Sequence, residues 1–158
     1  MTTARWDEPM REALALAHLA VSESGDVPVG AVLLKPTGEV VAVGKNEREL
    51  AGDPTAHAEI VAIRAAAALD ENWHLNDLTL VVTLEPCAMC AGAIQASRIG
   101  RVVFGAWDER VGAAGSRYDL LRDSRLGAAV EVIPGVLEDE CALVLRQFFE
   151  ERRISGSK

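Results

Sequence analysis

The chain has 158 residues and 49% apolar side chains, enough for one domain with an ordinary core and too apolar for extensive disorder. A formal net charge of −8 excludes a broadly basic surface for indiscriminate nucleic-acid binding, though not a local basic patch. No apolar run reaches bilayer-spanning length and the N-terminus lacks the charged-then-apolar layout of a signal peptide, so a cytoplasmic protein with no membrane partner is expected.

Asp7-Glu8-Pro9 supplies a cap, an acid and an early proline, and Met10, Ala13, Leu14, Ala17 and Val21 follow at helical spacing, which predicts a helix from Asp7 to about Ser24. Val29 to Leu34 and Val40 to Val43 read as strands joined by a turn at Pro36-Thr37-Gly38. Asp53-Pro54-Thr55 ends a loop and caps a helix over about Ala56 to Leu69. The near-continuous apolar run from Leu78 to Leu84 predicts a central strand buried on both faces. Pro86 opens a helix to about Ser97, Arg101 to Gly105 is a further strand, and Asp108 to Gly115 is a glycine-containing loop. Tyr118 to Arg122 is expected to form a short helix, Ala129 to Ile133 a last strand, and Leu137 to about Arg152 a final helix. In that helix Cys141, Leu145 and Phe149 share one line, with Val144 and Phe148 beside it.

This order specifies an α/β fold: a three-layer α/β/α sandwich around a mixed five-stranded sheet. Strand-helix-strand crossovers give parallel pairs and the first hairpin an antiparallel edge. No linker or repeat divides residues 1–158, which are expected to form a single domain with a frayed tail over 154–158.

Two short motifs carry the chemistry. His57-Ala58-Glu59 is followed, 30 residues after the histidine, by Cys87 of Pro86-Cys87-Ala88-Met89-Cys90. One imidazole and two thiolates make three ligands for a tetrahedral Zn2+, one ion per chain, and a fourth position left for water marks a catalytic rather than a structural site. The remaining candidates His18, His74 and Cys141 lack ligand-like spacing, and Cys141 reads as a small buried hydrophobe. If Thr55 caps one helix and Pro86 begins the next, His57 and Cys87 fall in first turns, where the electropositive helix start favours thiolate and a neutral imidazole. Cys87 and Cys90, three apart, share a helix face. Glu59 is then placed as the carboxylate that shuttles protons from the attacking water to the substrate. A Cys-x-x-Cys pair in a reducing compartment is also compatible with redox chemistry, and a zinc site with a non-enzymatic module. The His-x-Glu and Pro-Cys-x-x-Cys combination as a whole is the general signature of zinc deaminases.

Longer blocks point the same way: Val27 to Val32, Asn46, Asp53 to Ile60, Thr83 to Ile94, Ser97 to Gly105, Gly112 to Ser116, and Asp139-Glu140-Cys141. In these the chain resembles the cytidine deaminase-like superfamily and, more closely, the bacterial tRNA-specific adenosine deaminases. The resemblance implies the cytidine deaminase-like fold and hydrolytic deamination of adenosine to inosine at the wobble position of a tRNA anticodon stem-loop, by a homodimer. It implies His57, Cys87 and Cys90 as zinc ligands and Glu59 as proton shuttle. Asn46, Pro28, Val29, Ala58 and Asp108 fall at the substrate contacts. Trp107 is either a stacking platform for a base or a cover for the sheet end. Arg146, Arg152 and Arg153, around and after Phe148-Phe149, are either an RNA-contacting rim or cations that complement a helix C-terminus. The alternative activity is deamination of a free nucleobase or nucleoside (guanine, cytosine or cytidine) at the same zinc site.

Overall fold

A computed structural model describes residues 3–156. After a 3-10 turn at Thr3–Trp6, the elements are α1 (Asp7–Ser24), β1 (Gly30–Leu34), β2 (Val40–Lys45), α2 (Arg48–Ala51), α3 (Ala58–Asp70), β3 (Thr79–Leu84), α4 (Ala88–Ala96), β4 (Arg101–Ala106), β5 (Glu131–Ile133) and α5 (Glu138–Ser155).

The five strands form one mixed sheet in the order β2-β1-β3-β4-β5. β1 pairs antiparallel with β2 (Val32 opposite Val43) and with β3 (Val32 opposite Val81), whereas β4 runs parallel to both β3 and β5. The α3 crossover therefore leaves β2 and β3 pointing the same way, but β1 lies between them rather than at the edge. Strand alternation separates two cores. Ala31, Leu33, Leu80, Val82, Val102 and Phe104 face α3 and α4, while Val32, Leu34, Val81 and Val103 face α1 and the Cys141 side of α5. The result is the expected three-layer α/β/α sandwich.

Two glycines let the helices approach the sheet. A Cβ on Gly30 would overlap the α1 backbone at Ala13, and one on Gly44 would overlap the α3 backbone at Ala58. Any side chain at either position pushes a helix, and with α3 the residues at its start, away from the strands.

Several boundaries differ from the sequence reading. α3 begins at Ala58, not Ala56, because Asp53 captures the Thr55 N–H and hydroxyl, both at 2.8 Å, in a closed turn. His57 is thus the N-cap residue with extended backbone, not a first-turn residue. Likewise α4 begins at Ala88, and Cys87 is its N-cap residue; the Pro86 carbonyl instead accepts the Ala113 N–H at 2.7 Å. The short helix expected over Tyr118 to Arg122 does not form. Leu120 N–H donates to Ala113 O, Gln95 Nε2 donates to Leu120 O at 2.8 Å, and Leu121 is fully buried, so cross-chain bonds and packing outcompete a local helix there. Val130 N–H goes to Leu121 O, which shortens β5 to Glu131–Ile133. α5 continues through Ser155 to Gly156, so the stretch read as frayed from Ile154 is helical at its start; residues 157–158 lie outside the described residues. Phe148 of α5 is buried but Phe149 is 47% exposed. The helix α2 was not legible in the sequence: the buried carboxylate of Asp26 creates it by accepting the Glu49 N–H at 2.8 Å and the Leu50 N–H at 3.3 Å.

Candidate active site

The parallel strands β2, β3 and β4 end on one side of the sheet, and the segments that follow them carry the motif residues. This is the side where open α/β sheets place their ligands. His57 at the start of α3 and Cys87 and Cys90 at the start of α4 converge there. His57 Nδ1 lies 3.6 Å from Cys87 Sγ and 3.5 Å from Cys90 Sγ, and all three donor atoms fall within 4.8 Å of one another. Tetrahedral zinc with ordinary Zn–N and Zn–S bonds requires ligand-ligand separations of about 3.5–3.8 Å. The donor set and its spacing fit the ion. Three candidate ligands, with no fourth His or Cys grouped with them among the described residues, also fit a site that keeps a position for water.

The electrostatics of the cluster follow from this crowding. Cys87 is brought down to about 4, first by its hydrogen bond with Cys90 and then by His57, against the opposing effect of burial. Cys90 is pushed up, by the same hydrogen bond and by burial. The His57 ring is raised by its contact with Cys87, against burial and against the positive charge of Arg48. One anionic sulfur shared among three donors is the charge pattern that a divalent cation takes over on binding, with release of protons. Burial pushes Glu59 up to about 7, opposed by a hydrogen bond from its own backbone N–H and by His57.

These groups open onto a cavity of about 130 Å³ lined by Val27, Val29, Asn46, Arg48, His57, Ala58, Glu59, Leu84, Glu85, Cys87, Asp108 and Val111. Asn46 is held in place there: its Nδ2 donates to Val27 O at 3.2 Å and its Oδ1 accepts the Arg48 N–H at 3.3 Å. Val29 and Ala58 line the cavity, whereas Pro28 is buried and does not line it. Asp108 closes one side, with its Oδ1 accepting the N–H groups of Arg110 and Val111 in an Asx turn.

Other sequence candidates lie outside this cavity. Trp107 borders the adjoining groove, with its ring edge-on to Phe104 at 4.9 Å and 84°. Arg146, Arg152 and Arg153 line a separate groove along α5. Arg152 stacks over the Phe148 ring at 4.5 Å and donates to the carbonyl of Gly25, which terminates α1, so it ties two helices together.

Sequence reasoning missed Glu85 and Arg48. Glu85 is 2% exposed, and all four acceptor positions of its carboxylate are used by the loop that follows β4. Oε1 accepts the Ala114 and Ser116 N–H groups, both at 3.0 Å, and Oε2 accepts the Asp108 N–H at 2.9 Å and the Ser116 hydroxyl at 2.6 Å. Its one sequence signal is an acid at the end of an otherwise apolar strand. Arg48 carried no signal, because its place depends on α2.

Comparison with known proteins places these features in a family. Residues 4–106 match the cytidine and deoxycytidylate deaminase zinc-binding region. The chain is 48% identical over 147 residues to the tRNA-specific adenosine deaminase of Haemophilus influenzae, covering 93% of this chain and 84% of that protein. It is 46% identical over 144 residues to the enzyme of the same description from Bacillus subtilis, covering 91% and 88%. Among solved structures, one from a study of A-to-I editing by tRNA:A34 deaminases at the wobble position superposes with a TM-score of 0.83 at 39% identity, over 87% of this chain and 99% of that one.

Proposed function

We propose that this chain, which belongs to the tRNA-specific adenosine deaminases and carries their cytidine and deoxycytidylate deaminase zinc-binding region, converts adenosine to inosine at the wobble position of a tRNA anticodon. The observation that carries the proposal is the convergence of His57, Cys87 and Cys90 on one face of a small cavity whose interior also holds the buried carboxyl of Glu59. The cofactor is one Zn2+ per chain, with those three side chains as its ligands. When bound, the ion acidifies a water molecule and so supplies a nucleophile near neutral pH.

The protein's own groups do the rest. Val27, Val29 and Leu84 supply apolar walls that receive a flat base and exclude bulk water. Asn46, locked by Val27 and Arg48, presents an amide to the base edge. Glu59 accepts one proton from the attacking water and delivers it to the ring nitrogen beside the attacked carbon; it then takes the second proton, from the hydroxyl now bonded to that carbon, and passes it to the departing amine as the carbon–nitrogen bond breaks and the ring carbonyl forms. Adenosine and water become inosine and ammonia. Burial holds this carboxyl near 7 in the metal-free site, and a carboxyl raised above its ordinary range is suited to both accepting and donating a proton near physiological pH.

An anticodon loop is read through splayed single-stranded bases, so a negatively charged protein suffices if its local contacts are right. A homodimer and a cytoplasmic location belong to the same proposal. Among the described residues no helix is long and apolar enough to cross a membrane.

The test is inosine formation in a synthetic RNA hairpin with adenosine at the wobble position, comparing wild type with Glu59→Ala. Inosine from wild type alone is expected. A zinc-loaded wild type that leaves the hairpin untouched but deaminates free guanine, cytosine or cytidine would move the assignment to the free-base alternative.

A further inference from the structure

We infer that Arg48 grips the phosphodiester adjoining the reacting nucleoside, and thereby makes the enzyme prefer a polynucleotide to a free nucleoside. The inference rests on the deaminase reading above and extends it to a residue to which neither motif points.

The cavity beside Glu59 has a volume of about 130 Å³. Pockets for drug-sized ligands span about 300–1,000 Å³, so this one suits a single base and the remaining chain must leave it. An adjoining groove of about 710 Å³ offers the exit: Val27, Arg48, Leu84, Asp108 and Val111 line both spaces. Arg48 is the one cationic side chain among the residues common to the two, and it is exposed. A sugar-phosphate backbone that leaves the base cavity for the groove passes it.

The position is built rather than incidental. Arg48 N–H donates to Asn46 Oδ1 at 3.3 Å, and the next two N–H groups are fastened to Asp26, a carboxylate only 1% exposed. The backbone that presents the guanidinium is therefore set by the same contacts that orient Asn46. Among the described residues no carboxylate lies within ion-pair distance of Arg48, and the neighbouring Glu47 is engaged by Lys45 at 2.9 Å. The guanidinium is available to a phosphate, which it matches as a bidentate fork. Asp108, Glu109 and Glu138 border the groove as well as Arg110, so its walls do not attract a polyanion indiscriminately, and where the groove meets the base cavity contact falls to Arg48. In a chain of net charge −8 such a contact carries unusual weight.

The test compares wild type, Arg48→Ala, Arg48→Lys and, as a charge control, Lys35→Ala. Lys35 lies at the β1–β2 turn, at the opposite end of the sheet. Binding of a labelled hairpin is measured as a function of NaCl, and kcat and KM are measured for inosine formation. Loss of one phosphate contact on a single strand lowers the steepness of log K against log salt by about 0.7. Arg48→Ala is expected to show that drop and a KM increase of about tenfold, the worth of a charged hydrogen bond, with the effect on KM rather than kcat. Arg48→Lys is expected to recover the slope but only part of the affinity, because the ammonium keeps the charge and loses the fork. A slope and KM equal to wild type in Arg48→Ala overturn the inference, as does an equal loss in Lys35→Ala, which would mean general electrostatics. If Arg48→Ala fails to fold, Arg48→Lys decides: wild-type KM there overturns it. Absence of inosine with wild type defeats the tRNA-adenosine reading on which this inference rests, before any variant is compared.

Discussion

Glu85 Oε2 accepts the backbone N–H of Asp108 at 2.9 Å, so the turn that delivers Cys87 to the candidate metal site also fixes the loop that walls the cavity beside it. Glu85 lies just before Cys87 in the chain and 23 residues before Asp108, and its one buried carboxylate joins the two segments. Glu85 also touches Gly112, where an added Cβ would overlap its carboxylate, which explains a glycine at that point of the loop.

Replacing Glu85 with alanine leaves the Asp108, Ala114 and Ser116 N–H groups without their acceptor. Each buried donor left unpaired costs about 1–3 kcal/mol. Ala114 is buried while Asp108 is half-buried and Ser116 exposed, so the expected loss of stability is about 2 kcal/mol, measured as a lower urea midpoint, accompanied by a higher KM for the RNA hairpin. A change below about 1 kcal/mol would mean that Pro86 O and Ala113 N–H hold the loop without help from Glu85.

Glu59→Gln separates proton transfer from metal binding. The amide keeps the shape of the side chain but cannot shuttle a proton, and the proposed ligand set does not include Glu59. Zinc content by atomic emission should stay at one per chain while inosine formation falls by at least about 10²–10⁴-fold, the usual worth of a general acid-base. Loss of zinc together with activity would assign Glu59 to the metal instead.

Cys87→Ala removes a proposed ligand and the anionic sulfur that His57 and Cys90 share. Zinc stoichiometry, activity and thermal stability should all fall. Removing the ion from wild type with a chelator should lower the melting temperature as well, because the ion binds the folded arrangement of donors preferentially. Unchanged zinc in the variant would refute the ligand assignment.

The raised Glu59 carboxyl sets a pH dependence in chelator-treated protein. Its folded value of about 7 exceeds its ordinary value of 4.5, so the folded chain holds the proton more tightly than the unfolded chain. That contribution to stability is fully present below 4.5 and is lost as pH rises through 7. Glu59→Gln carries no such proton. The variant should therefore gain on wild type by about 2 kcal/mol between pH 5 and pH 8, by urea denaturation at both values. A gap that does not change with pH would mean that Glu59 is not buried as a neutral acid.

The chain by itself supplied the candidate ligand set and the candidate proton carrier, and determined the layered α/β class and nearly every strand. These are local properties: a thiolate or imidazole is a metal donor wherever the chain puts it, and the apolar run of β3 is written in consecutive residues. Helix starts at His57 and Cys87 were less legible, because Asp53 and Ala113 compete for the hydrogen bonds that would have extended those helices backwards. Only the tertiary structure decided that β1 lies between β2 and β3, that a buried Asp26 builds α2 and points Arg48 at the cavity, that Arg152 ties α5 to the end of α1, and that Glu85 joins the metal turn to the substrate loop. Asp26 and Glu85 are polar groups buried where water cannot satisfy them, and the partner of each is whichever donor the packed layers bring near, at any distance along the chain.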